Sequence, residues 1–268
     1  MEWARQRSVF VGCGLVQVGT RRRLGLALLM ALVGCGQGAD TTTTSPTTSS
    51  EPSPTAMARD ALEIGSFAPV EPGTYFIDAD LDASTPLRVI YDVPAVGWSK
   101  WIGAAKFNDE DGHVGVSITT VMNLVHDGCR DHSWTDPPVG TSVNDLAAAL
   151  ADLAPFAVTS PPEDVTIYGY HGRYLELTVP DLPVERAGED LRFAGCFGGQ
   201  LKSWVAPMDA TAKGDAFYGY TGPGYSEEFW ILDVEGTRLM IAAERSPGSP
   251  PDDLSELRAI LDSIQIEP

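Results

Sequence analysis

Phe229-Trp230-Ile231-Leu232-Asp233-Val234-Glu235-Gly236-Thr237-Arg238-Leu239-Met240-Ile241-Ala242-Ala243 is two apolar, β-prone runs set around a Glu-Gly pair. Glycine takes the positive φ that a two-residue hairpin turn requires, so the stretch predicts antiparallel strands over 229–234 and 238–243. Working upstream, residues 165–168 and 174–179 flank Gly169-Tyr170-His171-Gly172-Arg173 as a second hairpin. Residues 74–77 follow Pro72-Gly73. Residues 87–93 alternate Leu87, Val89 and Tyr91 against Arg88, Ile90 and Asp92 before Pro94 stops the run. Residues 114–124 are a long β-branched stretch.

Two segments carry helical periodicity. Ser142 and Asp145 have capping-box spacing, and Val143, Leu146, Ala147, Leu150 and Leu153 then line one face. Downstream, Ser249 reads as an N-cap with Pro250 at the first helical position. Asp252 and Asp253 suit the positive end of the helix dipole, and Leu254, Leu257, Leu261 and Ile264 form the stripe. Ile264-Gln265-Ile266 then predicts a short edge strand. Strands joined by short turns, with only two helices, predict an α+β domain over 61–268: an antiparallel β-sheet packed on one face by two helices.

The first 60 residues of the chain read differently. Arg21, Arg22 and Arg23 precede the apolar run from Leu24 to Val33, which is ten residues long. A membrane-crossing helix needs roughly twenty, so the run fits a secretory signal peptide. It has no polar face, which sets it apart from a helix of a folded core. Leu32-Val33-Gly34-Cys35 ends it and resembles the bacterial lipobox, which implies lipidation of Cys35 after removal of residues 1–34. The similar Phe10-Val11-Gly12-Cys13 lacks an apolar run before it. Residues 35–60 are the lipidated N-terminus and a Thr/Ser/Pro-rich tether, too poor in apolar side chains to offset the entropy of ordering.

The whole chain carries a formal net charge of −19. Removing residues 1–34 takes away five arginines and one glutamate, leaving 13 basic and 36 acidic residues and a net charge of −23. Such a surface excludes nucleic acid and docking on anionic headgroups, because both need a basic footprint. The membrane is therefore a partner through the lipid anchor. The acids are scattered and form no Asp-x-Asp-x-Asp-Gly calcium loop.

Cys129 and Cys196 remain for the domain. Outside the cytosol two thiols most simply form a disulfide, which closes a long loop and constrains the unfolded chain by roughly 4 kcal/mol. The alternative is a metal site, since His126-x-x-Cys129-x-x-His132 sets three zinc- or copper-ligating groups at short spacing. A pair of acids such as Glu227 and Glu228 serves glycoside hydrolysis only if two carboxylates meet across a cleft. Ser226 lacks a nucleophile elbow, and His171 falls on a turn. The most suggestive stretch is aromatic: Tyr218, Tyr220 and Tyr225 are threaded among Gly219, Gly222, Pro223 and Gly224. Such rings stack on sugars or cover lipid, which makes the three tyrosines candidate ligand contacts. Trp98 and Trp101, after a strand-ending proline, are expected to be buried.

Pro72-Gly73-Thr74-Tyr75-Phe76, Val93-Pro94-Ala95-Val96-Gly97-Trp98, the segment from Asp233 to Leu239 and Leu261-Asp262-Ser263-Ile264 resemble a recurrent pattern in exported proteins of high-GC Gram-positive bacteria. The order of elements is similar to the PsbP-like fold that some mycobacterial-type lipoproteins adopt. The resemblance spans most of 72–266 and implies a fold and a location, without an activity. The expectation is a membrane-anchored extracytoplasmic binding module, without a cofactor, for an envelope glycolipid, a sugar or a protein partner. A small envelope hydrolase and a metal-binding lipoprotein are the alternatives.

Overall fold

The computed structural model describes residues 57–81, 87–108, 112–188, 190–207 and 217–268. The signal segment, Cys35 and the tether as far as residue 56 lie outside the described residues. No described helix is long and apolar enough to cross a membrane.

In chain order the strands are β1 (Arg59–Asp60), β2 (Pro69–Val70), β3 (Gly73–Asp78), β4 (Arg88–Val93), β5 (Trp98–Lys100), β6 (Gly103–Asn108), β7 (Gly112–Thr120), β8 (Asn123–Asp127) and β9 (Asp131–Trp134). Helix α1 (Val143–Ala151) follows. Then come β10 (Ala157–Ile167), β11 (Tyr170–Thr178), β12 (Val184–Ala187), β13 (Asp190–Phe193), β14 (Leu201–Val205), β15 (Phe217–Tyr220), β16 (Ser226–Val234) and β17 (Thr237–Arg245). Helix α2 (Pro251–Asp262) and β18 (Gln265–Glu267) close the chain. Strand β1 pairs in parallel with β3, so the fold takes in Arg59 and Asp60 as well.

The hairpin at 229–243 lies in the middle of an eight-stranded sheet, ordered β10-β11-β16-β17-β7-β6-β5-β2, with every neighbouring pair antiparallel. Its turn residues Glu235 and Gly236 both have positive φ (51° and 90°), as a tight primed turn requires. The second hairpin turns more tightly than expected, through Tyr168 and Gly169 (φ 55° and 87°), and β10 and β11 run correspondingly longer.

The two helices do not share a face of this sheet. Leu257, Ile260 and Leu261 of α2 pack with Val116, Ile118, Trp230, Leu232, Leu239 and Ile241, under a four-stranded sheet ordered β1-β3-β4-β18. Leu146, Ala147 and Leu150 of α1 pack with Leu175, Phe229, Ile231 and Met240 on the opposite face, beside a second four-stranded sheet ordered β15-β14-β8-β9. The expectation of one covered face is corrected to two. In β16 and β17 both parities are apolar, so leaving either face in water would expose a full row of core side chains.

Local chemistry sets the remaining boundaries. The capping box forms as expected: Ser142 Oγ accepts from Asp145 N and Asp145 Oδ2 accepts from Ser142 N, each at 3.1 Å. Helix α2 starts one residue later than expected, with Pro250 at the cap and Pro251 at the first position. The Ser249 hydroxyl instead contacts the carbonyls of His113 and Ser246, both at 2.8 Å. The run 114–124 is split between two sheets. Buried Asn123 diverts the chain, its Oδ1 accepting from Leu124 N (2.9 Å) and Val139 N (3.3 Å).

Candidate functional site

Strand β17 carries Met240, Ala242 and Glu244 on one face, so a carboxylate follows two apolar side chains at inward parity. Strand β16 does the same with Ile231, Phe229 and Glu227. The two acids are direct cross-strand partners, and each is 1% exposed. Glycine makes the first of them possible. Gly115 lies opposite Glu244 on β7, and a Cβ there would come within 2.3 Å of Glu244 Oε1. The vacancy admits the carboxylate to the sheet face.

Glu244 lies at the edge of an open cleft of about 640 Å³. His113, from the start of β7, donates from Nε2 to Glu244 Oε1 at 2.8 Å. Its ring tilts against Phe107 (centroids 4.9 Å apart) and Tyr225 (5.7 Å). Phe67, Trp101 and Phe107 form a second aromatic group, with Phe67 5.3 Å and Phe107 6.0 Å from Trp101, and Trp101 meets Tyr218 edge-on at 6.5 Å. Phe67 is 60% exposed and Phe107 44%, so these two rings stand at the mouth. The loop from Thr221 to Tyr225, with Ser246 and Pro247, completes the rim. No Lys or Arg lines the cleft among the described residues.

Glu227 sits behind this wall and does not line the cleft. The Tyr220 hydroxyl donates to its Oε2 and also lies 3.0 Å from Ser203 Oγ, while Trp204 Nε1 donates to Oε1 at 3.3 Å. Burial raises the Glu227 carboxyl pKa to about 7, against the lowering effect of the Tyr220 and Trp204 hydrogen bonds. The Tyr220 hydroxyl is pushed well above its ordinary value, first by burial and then by the charge of Glu227.

The three tyrosines singled out in the sequence therefore divide. Tyr218 and Tyr225 line the cleft. Tyr220 borders a neighbouring hollow formed by Leu191, Arg192, Gln200 and Lys202 and gives its hydroxyl to Glu227. All three are nearly buried, at 3%, 7% and 8% exposed for Tyr218, Tyr220 and Tyr225, so they present edges and do not project as free rings. Tyr218 stacks on Trp204 with centroids 4.6 Å apart. Trp98 is buried as expected, with Nε1 donating to Glu256 Oε2 of α2 at 2.9 Å. Trp101 instead lines the cleft.

Cys129 and Cys196 are joined, sulfur to sulfur. A bonded sulfur is not a thiolate ligand, and the described residues hold no group of three side chains able to bind a metal. His126 is exposed on β8, and His132 Nε2 donates to the carbonyl of Gly128 at 2.9 Å.

The hydrolytic candidates are separated. Glu228 turns to the opposite face from Glu227 and pairs with Arg245 and Arg258. Ser226 opposes Thr178, and His171 lies seven residues back along β11, about 23 Å away by the rise of a strand. The residues missed in the sequence are Phe67, Phe107, His113 and Glu244. Only Glu244 carried a signal, a charged side chain at inward parity in a core strand. No protein-family model matches the chain, and no curated protein or solved structure matches it either.

Proposed function

We propose that the protein is an exported, lipid-anchored binding module, of the envelope lipoprotein type its motifs resemble, and that its ligand occupies the cleft walled by Phe67, Trp101, Phe107, Tyr218 and Tyr225. One observation carries this reading. An open, aromatic-walled space of about 640 Å³ with one carboxylate at its edge has the size and lining of a small-molecule site. A soluble domain gains nothing from leaving Phe67 and Phe107 in water unless something covers them. The lining has no Lys or Arg among the described residues, its one imidazole, His113, is already paired with Glu244, and the domain is strongly acidic, which disfavours anionic ligands.

A hydrolase is the second reading, favoured by the in-register pair Glu227 and Glu244. Against it, Glu227 is sealed behind Tyr220 and does not reach the cleft. A general acid must reach the proton it transfers.

Native mass spectrometry of the intact protein, repeated after denaturation, tests the binding reading. A retained mass that disappears on unfolding is the expected result, and the Tyr225→Ala protein should lose it. Retention of the same mass by Tyr225→Ala places the ligand elsewhere. The anchor has its own test. Cells fed labelled palmitate should label the protein, and Cys35→Ala should abolish the label; a labelled Cys35→Ala protein overturns the lipobox reading.

A further inference from the structure

Two side chains of the cleft carry buried polar atoms with no hydrogen-bond partner among the described residues: Glu244 Oε2, an acceptor, and Trp101 Nε1, a donor. Buried polar groups in folded proteins are almost always paired, and an orphaned carboxylate oxygen is the costliest kind to leave alone. Finding one donor and one acceptor unpaired in the lining of the same open cleft points to an occupant that supplies both partners.

We infer that the cleft takes a neutral pyranose sugar, with Glu244 and the Trp101 indole N–H as its polar anchors. The inference rests on the reading of the cleft as a ligand site and names the class of that ligand. A hydroxyl group both donates and accepts, so a ring bearing several of them satisfies the carboxylate and the indole together. An ammonium ion only donates and would leave Trp101 Nε1 unpaired. An acyl chain does neither. A phosphate or carboxylate only accepts, and it would meet Glu244 with no Lys or Arg in the described lining to offset the repulsion.

The apolar part of the lining fits the same class. A pyranose has C–H faces flanked by hydroxyl edges, and such faces pack on aromatic rings while the edges reach polar groups beyond them. Phe67 and Phe107 offer rings at the mouth, with Trp101 tilted against the first and edge-on to the second. The acceptor is held in place before any ligand arrives. His113 Nε2 fixes Glu244 Oε1, and Gly115 leaves the room in which the carboxylate sits. A pre-positioned acceptor costs little ordering entropy on binding. Both orphan atoms are buried in the lining of the cleft, so a sugar reaches them by rotamer adjustment of the exposed neighbours Phe67 and Phe107, of the kind common on binding, while Glu244 keeps its bond to His113.

The test uses the full lipidated protein, extracted in a non-glycosidic detergent and applied to an array of neutral, amino-bearing and acidic saccharides. Retention on neutral glycans is expected, with a 10- to 100-fold loss of affinity in both Glu244→Gln and Trp101→Phe. The first replaces the orphan acceptor by an amide, and the second keeps an aromatic ring but removes the N–H. Melting temperatures of both variants show whether the fold survives. Neutral-glycan binding that both folded variants retain in full overturns the assignment of the anchors. A retained acyl lipid, or binding confined to acidic or amino sugars, overturns the neutral-sugar class while leaving the cleft a binding site. No retained mass and no glycan binding overturn both readings.

Discussion

Replacing Cys129 and Cys196 together by alanine should lower the unfolding free energy by about 4 kcal/mol and the melting temperature by roughly 8–16 °C. The two cysteines are 67 residues apart in sequence, so the bond removes many conformations from the unfolded chain. It also ties the turn between β8 and β9 to the segment leading into β14. That junction has backbone support of its own: Phe197 N donates to Cys129 O at 2.6 Å and Lys202 N to Gly128 O at 2.9 Å. Urea denaturation of the oxidised parent and the double variant reads the difference. A loss below about 1 kcal/mol would mean that the unfolded chain is held compact by other contacts, or that strain in the bond cancels its gain.

Glu227→Gln should have the opposite sign at alkaline pH. The folded carboxyl pKa is raised from 4.5 to about 7 by burial, so between those values the native state holds a proton that the unfolded chain has lost. This group's contribution to stability is therefore fully present below pH 4.5. It falls as pH rises through the window and stays at its minimum above about 7. At about 1.4 kcal/mol per pH unit, the cost of the ionised group reaches roughly 3 kcal/mol. Tyr220 and Trp204 face this carboxyl, Ser203 holds the Tyr220 hydroxyl from behind, and Glu244 is the cross-strand partner of Glu227. Glutamine removes the ionisation: its carbonyl oxygen accepts from Trp204, and its amide donates to the Tyr220 oxygen, whose own hydroxyl turns to Ser203. The variant should be more stable than the parent at pH 8, by up to about 3 kcal/mol, with the advantage fading toward pH 4.5. Because the other carboxyls titrate in both proteins, the difference between the two curves is the measurement that counts. A difference independent of pH would show that Glu227 titrates in the folded protein as it does in the unfolded chain, and would overturn the raised pKa.

Much of the secondary structure was legible because its causes are local. Gly236 sets a turn whatever surrounds it, Ser142 and Asp145 cap α1 through their own backbone, and Pro94 ends the strand before it. The sheet's second covered face was also present in the opening stretch. Trp230 and Leu232 are as apolar as Phe229 and Ile231, and a strand with no polar parity has no side for water. Helix α2 shows the limit of local rules, since Ser249 fits an N-cap but the carbonyls of His113 and Ser246 claim its hydroxyl, and the cap passes to Pro250.

The cleft was decided by tertiary structure alone. Phe67, Trp101, Phe107, His113, Tyr218, Tyr225 and Glu244 come from separate segments, and no spacing along the chain records that they meet. Parity along a strand placed Glu227 and Glu244 facing inward. It did not say that they would oppose each other, that Gly115 would open a space for one, or that Tyr220 would close over the other. Side-chain direction follows from the period of the strand, whereas the neighbour it meets depends on which strands pair and in what register. In this protein that pairing was set by burying two core faces at once, a requirement summed over the whole domain.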